Sequence, residues 1–337
     1  MGIKFGDLVI KKPITFDELK CKKVGLDASN VLFQFLSSIR GVDGEPLKDK
    51  EGNITSHLVG IFSRFTNLMD KGIQLAVCFD GKAPVLKAKT QEERRMKKLE
   101  AEEKLKKAKE EEEYELILKY SKRTTRLNEE IIKESKLLFS YLGIPVIQAP
   151  SEAEAQISYL NKKGILDYTA SSDMDCLVYG APKLLINLTL STRRKLGGKI
   201  IKIEPQVINL KEFLKSLGIT QEQLLIMAIL IGTDFNEGIM GIGPKKALKL
   251  VKENKDYDKM FKGLNPSFDW KEVRDVFLKM PIEKDIKLNF NQKVQEDKIK
   301  ELLVEKHDFN LERVEKTLEK LRKVNKNKEQ SNLGKWF

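Results

Sequence analysis

The sequence predicts an α/β fold: a mostly parallel central sheet with helices on both faces, a helical insertion and a helical C-terminal region. Three observations lead there. Short β-favouring runs alternate with helix-length segments in two stretches of the 337 residues. Acidic residues recur directly behind those runs. A strongly charged, helix-favouring stretch, 82–126, separates the two halves.

In the first half, "KKVGLD" reads as a short buried strand, "ASNVLFQFLSSIR" as a helix, "SHLVGIFSRFTNLMDKG" as a second helix and "IQLAVCFD" as a second strand. The insertion follows at once. "QEERRMKKLEAEEKLKKAKEEEEYELILKYSKR" is rich in helix formers and in Glu–Lys pairs four apart, with too few apolar residues for a core. Alternation then resumes with helix "EEIIKESKLLFSYLGI", strand "PVIQAP", helix "EAEAQISYLNKKG" and strand "LDYTASS". Residues 182–190 and 199–203 are further strand candidates, with "TRRKLGGK" a basic turn between them. From about Leu210 the chain reads as helices, and "NKNKEQSNLGKWF" as an unstructured tail with an apolar end.

Apolar residues make up 41% of the chain, enough for a substantial core, while charged residues reach 33%. Lys and Arg number 62 against 50 Asp and Glu, a net charge of +12, which points to a polyanionic partner, most simply nucleic acid. Cys21, Cys78 and Cys176 are odd in number and widely spaced, which fits a reducing, intracellular setting without disulfides or a zinc finger. No apolar run approaches a membrane span, so no membrane partner is expected. With only His57 and His307, neither in a nucleophile motif, any catalysis should use carboxylates.

The carboxylates have a pattern. Asp27, Asp80, Asp173 and Asp175 follow three predicted strands, and the carboxyl ends of parallel strands share one edge of the sheet. Singly, Asp27 could cap the next helix and Asp80-Gly81 could be a turn. Together, in one topological position, they suggest a site. "APSEAEAQ" adds Glu152 and Glu154, where Ser151-x-x-Glu154 reads as a capping box that accounts for Glu154 and leaves Glu152 free. Asp234 follows an apolar helix. Seven acids in a basic chain suit hard divalent cations, which take oxygen ligands and can activate a water against a phosphodiester.

A second motif is "GIMGIGPKKALKLV". Gly238, Gly241 and Gly243 permit a tight backbone, Pro244 suits a first helical position, and Lys245 and Lys246 follow. Helix N-terminal amides beside two lysines make a phosphate site, and the spacing is that of a hairpin between two helices.

Together "MGIKFGDL", "LDASNVLFQFL", "VCFDGKAPVLK", "APSEAEAQ", "SSDMDCLVYG", "LIGTDFNEGIMGIGPKKAL" and "QSNLGKWF" resemble, in order and spacing over nearly the whole chain, the flap endonucleases of the 5′-nuclease superfamily, closest to compact archaeal members. The resemblance implies a divided layout: 1–81 and 127–324 as the nuclease core, 82–126 as a helical arch, a DNA-binding helix–hairpin–helix around 224–252, and 325–337 as a flexible tail. It implies two Mg²⁺ ions, with Mn²⁺ as a substitute, held by the seven acids. Glu152, Glu154 and Asp173 would lie near one ion, Asp175 and Asp234 nearer the other. Lys87 and Arg94 would contact the scissile phosphate, and Gly2 would lie near the junction.

Phe33 stands where the family has a tyrosine, and would stack on a base. Thr55 would help to pocket a one-nucleotide 3′ flap. Lys245 and Lys246 would hold duplex backbone where the family also binds K⁺. Gln330, Leu333, Trp336 and Phe337 follow the pattern of sliding-clamp ligands, with Trp336 as an anchor. The activity implied is 5′-flap endonuclease with 5′-3′ exonuclease on nicks or gaps, serving Okazaki fragment maturation and repair. The chain would act as a monomer on flap and nicked duplexes, in the cytoplasm at the nucleoid if archaeal, in the nucleus if eukaryotic. The competing readings are a non-catalytic junction-binding or clamp-adaptor protein and an RNA-cleaving nuclease on a related sheet.

Overall fold

A computed structural model describes residues 3–333 except 4, 112, 122–123, 190–192 and 197–198. The chain opens with β1 (Lys12–Pro13), β2 (Lys23–Asp27) and α1 (Ala28–Ser38). Helix α2 (Ser56–Gly60) passes through a π-turn at Ile61–Phe65 into α3 (Thr66–Asp70), and β3 (Gln74–Phe79) follows. The charged insertion forms α4 (Lys87–Glu110) and α5 (Tyr114–Ser121). Beyond it come α6 (Glu129–Tyr141), β4 (Val146–Gln148), α7 (Ala153–Lys162), β5 (Tyr168–Ala170), α8 (Asp175–Val178) and β6 (Lys183–Ile186). Strands β7 (Arg193–Leu196), β8 (Lys199–Lys202) and β9 (Gln206–Asn209) complete the β-structure. The helical remainder comprises α9 (Leu210–Leu217), α10 (Gln221–Ile231), α11 (Pro244–Glu253), α12 (Tyr257–Leu264), α13 (Trp270–Leu278), α14 (Glu296–Lys300) and α15 (Leu311–Leu333).

Seven strands form one sheet in the order β1-β9-β6-β5-β2-β3-β4. The five from β6 to β4 run parallel, as alternation with helices requires, and β9 and β1 add an antiparallel edge. The middle strands are buried through their length, Val24 to Asp27 in β2 and Leu75 to Phe79 in β3, which is why they read as apolar runs. One core lies between the sheet and α7 to α10, the other between the sheet and α1 to α3, α6 and α15. In α10 every residue from Leu224 to Leu230 is buried, and a reciprocal Thr220–Gln223 box caps it. No single helix among the described residues is long and apolar enough to cross a membrane.

Three expectations need correction. The stretch "TRRKLGGK" is more than a turn: Arg193–Leu196 pairs antiparallel with Lys199–Lys202 as a separate two-stranded ribbon. Glycine pairs favour hairpin turns, and Gly197-Gly198 sits between these strands. The segment from 325, expected as a flexible tail, continues α15 to Leu333, since neither Gly nor Pro interrupts the chain between 311 and 333. The capping box at Ser151 is also absent. Glu152, not Ser151, is the N-cap of α7, and the Ser151 hydroxyl donates to the Lys82 carbonyl at 2.8 Å.

Candidate active site

The order β5-β2-β3-β4 sets the carboxyl ends of four parallel strands side by side. Asp27 closes β2, Asp80 follows β3, Glu152 and Glu154 begin the helix after β4, and Asp173 and Asp175 follow β5. Asp27, Asp80, Glu152, Glu154, Asp173 and Asp234 line one cleft of about 750 Å³, together with Lys87, Arg94 and Phe33. Asp175 lies buried beside it.

Each acid is held by its local structure. Asp27 caps α1, its Oδ1 accepting from the Asn30 amide at 3.0 Å. Capping and site membership coexist here, so the single-residue reading was incomplete rather than wrong. Asp80 Oδ1 accepts from the Ala153 amide at 2.9 Å, which ties the end of β3 to the first turn of α7. Gly81 is required beside it, since a Cβ there would lie 2.2 Å from the Ala149 carbonyl oxygen. Glu154, freed from capping, accepts from the Ser171 hydroxyl at 2.8 Å. Asp175 Oδ1 accepts from the Ile3 amide at 3.0 Å.

The electrostatics are those of a cation site. Burial, then Asp80, pushes Asp27 up to about 8. Burial raises Glu154 well above the carboxylate range, with Asp175 and Asp173 adding to it, and raises Asp175 likewise, with Asp173 next. Asp173 and Glu152 are raised too, chiefly by burial. Asp234 differs: burial pushes it up, but Arg94 and Lys87 outweigh that and hold it low. Arg94 Nη2 lies 2.5 Å from Asp234 Oδ1; Lys87 Nζ lies 2.5 Å from Glu152 Oε2 and 3.6 Å from Asp234 Oδ2.

Buried carboxylates repelling one another are stabilised by a hard cation, so this donor set fits divalent ions. Among the described residues no group of three or more acidic, His or Cys side chains is already placed to hold a metal ion.

Around the cleft, Lys87 is the first residue of α4, so the base of the arch carries Lys87 and, two turns on, Arg94 into the site. Phe33 is 38% exposed at its edge, with Lys98 Nζ 5.4 Å above the ring. The loop from α10 to α11 is tightly closed: Thr233 and Asn236 bridge each other, and Asn236 donates to the Ile229 carbonyl. Gly238 has φ +75°, and a Cβ would lie 2.3 Å from the Ile231 oxygen; Gly241 and Gly243 face open space, which leaves the backbone bare. Gly243 caps α11, Pro244 begins it, and Lys245 and Lys246 are exposed on its first turn. Thr55 is buried at the start of α2 and does not line the cleft. Gly2, Trp336 and Phe337 lie outside the described residues, and Gln330 and Leu333 are described by backbone alone.

Sequence reasoning missed Ile3, whose contribution is a backbone amide, and Ser171, whose hydroxyl holds Glu154. It also missed Glu237, whose Oε1 lies 2.5 Å from Lys89 Nζ and links the arch to the hairpin loop.

An acid-lined cleft on the carboxyl edge of a parallel sheet, overhung by a basic helix, defines a nuclease. Comparison with known proteins agrees. The XPG N-terminal domain matches residues 4–101 and the XPG I-region matches 143–234. Flap endonuclease 1 of Thermococcus onnurineus is 46% identical over 100% of this chain and 99% of its own length. Flap endonuclease-1 from Methanococcus jannaschii superposes with a TM-score of 0.77 at 39% identity, covering 97% of this chain and 100% of that one. The catalytic core of Rad2 in complex with DNA substrate, at 23% identity and TM-score 0.69 over 95% and 100%, shares the fold. The chain belongs to the flap endonuclease 1 family. Structure-specific flap cleavage, a DNA-processing hydrolase activity, goes with that membership.

Proposed function

We propose that the chain cuts 5′ flaps near their base, and trims nicks and gaps 5′ to 3′, with divalent ions held by the seven acids. The observation that carries this reading is the shared cleft, where six acids from four strand ends and the α10–α11 loop face Lys87 and Arg94 at the foot of α4. Divalent ions there, Mg²⁺ by preference with Mn²⁺ as a substitute, would supply a water of lowered pKa and charge to stabilise the leaving oxygen.

The chain's own residues do the rest. Glu152, Glu154 and Asp173 would hold one ion, and Asp175 and Asp234 the other. Lys87 and Arg94, now paired with Glu152 and Asp234, would turn to the scissile phosphate and fix its oxygens. Their pairing with the acids keeps both cations at the cleft before a strand arrives.

Lys245, Lys246 and the bare hairpin backbone would hold duplex phosphates without reading bases, with K⁺ a candidate ion at the hairpin. A nick bends more cheaply than intact duplex, so bending selects discontinuous DNA. Thr55 would serve the 3′ flap. Gly2 would lie near the junction. Gln330, Leu333, Trp336 and Phe337 would dock a sliding clamp. The chain would work as a monomer in Okazaki fragment maturation and repair, at the nucleoid of an archaeal cell or in a eukaryotic nucleus.

The test is an end-labelled 5′-flap duplex with an equimolar single-stranded RNA, in Mg²⁺ or chelator, products mapped to the nucleotide. Mg²⁺-dependent cutting within about one nucleotide of the junction, RNA spared, is expected. A flap bound but uncut in Mg²⁺ and Mn²⁺ would replace the nuclease reading with that of a junction-binding or clamp-adaptor protein.

A further inference from the structure

A second cavity, of about 430 Å³, opens beside the carboxylate cleft. That is within the roughly 300–1,000 Å³ of small-ligand pockets. The two spaces share Asn30, Phe33 and Ser172, so a nucleotide whose phosphate lies in the cleft has the cavity within reach of its base.

The cavity is built in two layers. Its floor is apolar, formed by Leu26 of β2, Val31 of α1, and Leu185 and Leu188 around the end of β6. Its polar groups include three carboxamides, from Asn30, Gln34 and Asn187, beside the hydroxyls of Ser37, Ser171, Ser172 and Thr189. Asn30 Oδ1 accepts from the Ser172 hydroxyl at 2.9 Å, and Gln34 Oε1 accepts from the Thr189 hydroxyl at 2.8 Å. Asn187 joins them from a left-handed backbone position, φ +63°. Among the described residues, the side-chain amide nitrogens of Asn30, Gln34 and Asn187 have no protein hydrogen-bond partner. Three donors therefore stand unengaged around an apolar floor.

The outer wall is the arch. Lys98 of α4 and Thr125, beyond α5, both line the cavity. A strand running beneath the arch therefore passes the cavity mouth, and Phe33 offers a ring face on the way in.

We propose that this cavity is a nucleobase pocket: it takes the base of the nucleotide on the flap side of the scissile phosphate, unstacked from its neighbours. The inference rests on the carboxylate cleft being the cutting site. The chemistry selects a base over other ligands. A planar ring buries both faces against the apolar floor and Phe33, which a phosphate cannot do. Among the described residues Lys98 is the only cationic side chain in the lining, and it stands over the Phe33 ring. Amide donors meet ring-nitrogen or carbonyl acceptors that every base carries, so the pocket grips without demanding a sequence. It would act before the chemical step, drawing the strand down so that its phosphate reaches Lys87 and Arg94.

The experiment uses the full chain and a set of 5′-flap duplexes. An abasic residue is placed in turn at each of the two nucleotides on the flap side of the mapped cut. Any template position opposite is also left abasic in test and control, so that loss of pairing does not enter. Single-turnover cleavage is measured over a range of enzyme concentration. For the wild type, one abasic position should weaken half-saturation by about tenfold, with the maximal rate changed less. Gln34→Phe, which fills the cavity, should weaken the base-bearing flap by a similar factor and leave the abasic flap within about twofold of wild type.

Equal handling of base-bearing and abasic flaps at both positions by the wild type would overturn the pocket, with no variant needed. So would a Gln34→Phe defect of equal size on both substrates, once its melting temperature matches wild type. If the wild type cuts no flap in Mg²⁺ or Mn²⁺, the cutting-site reading fails first. Displacement of the flap by free single strands carrying bases, but not by abasic strands, would then still report whether the cavity holds a base.

Discussion

The amide of Ile3 donates to Asp175 Oδ1 at 3.0 Å across 172 residues of sequence. The first described residue of the chain thus orients an acid buried beside the cleft. Hydrogen bonds to charged groups are worth about 1.5–3 kcal/mol. Ile3→Pro, which lacks the donor, should raise the divalent-ion concentration for half-maximal cleavage by about tenfold or more, whereas Ile3→Val should match wild type. Metal titration of the cleavage rate checks this. An unchanged half-point for the proline variant would show that Asp175 needs no help from the N-terminal segment.

Lys87 and Arg94 should matter to the chemical step more than to binding. Replacing either by Ala is expected to lower kcat by about 10²–10³-fold while KM moves little, the pattern for a charge that acts on the transition state. Steady-state kinetics on a flap duplex decide it. A rise in KM alone would make them binding residues.

The raised acids make metal-free stability depend on pH. Asp27 ionises near 8 in the fold against an ordinary 3.8. Between those values the folded chain keeps a proton that the unfolded chain has released, so stability falls as pH rises. Below about 4 the group is protonated in both states, and above 8 its full cost is present. Thermal melts with chelator should therefore drop from pH 5 to pH 8. The increase on adding Mg²⁺ should be larger at pH 8, because binding displaces those protons. A metal-induced shift independent of pH would count against a site built from raised carboxylates.

A buried cluster outside the cleft lining works in the opposite sense. His307 lies 2.8 Å from both Asp49 and Glu134, Lys306 lies 2.5 Å from Glu134, and His57 Nε2 is 3.4 Å away from it. Burial pushes Glu134 up, but contacts with His57, Lys306 and His307 bring it down to about 2; Asp49 is likewise held near 2 against its burial, by His307 and Asn53. Burial lowers His57. All three groups bind protons more weakly in the fold, so stability is present above the ordinary values and is lost as pH falls, first for His57 below about 6.5 and then for the acids from about 4 towards 2. Glu134→Ala should cost about 3–5 kcal/mol in denaturant unfolding. A cost under about 1 kcal/mol would mean that the cluster is neutral to folding.

Lys245 and Lys246 should contribute through phosphates alone. Each Ala substitution is expected to weaken duplex binding evenly across sequences and to reduce the slope of log affinity against log salt by about 1. Binding isotherms at four salt concentrations on two unrelated sequences are enough. A sequence-dependent loss would assign base contacts to the hairpin.

Much of this was legible because parallel strands ending in acids leave a positional mark. Asp27, Asp80, Asp173 and Asp175 could be grouped before any coordinates, since strand ends share one edge. Glu154 was misread locally: a box-like spacing lay before a helix, and only the fold shows Ser151 turned to the Lys82 carbonyl and Ser171 holding Glu154. Strand β1, two residues long, carries too little pattern to be seen. The His57–Glu134–His307 cluster joins residues up to 250 positions apart, and two isolated histidines gave no sign of it. Backbone donors such as the Ile3 amide leave no trace in residue identity.

The last helix has a consequence for the making of the protein. Val314, Leu318 and Leu321 of α15 are buried in the same core as Leu32, Phe35 and Phe65 near the start, and Glu134 waits on Lys306 and His307. The acids of the cleft are themselves spread from position 27 to position 234. A chain emerging from the ribosome therefore carries its earliest acids long before the residues that seat them. Contacts of such separation form slowly and last. The carboxylate cleft is therefore complete only once residue 234 has been made, and the core that seats α1 only once α15 has followed.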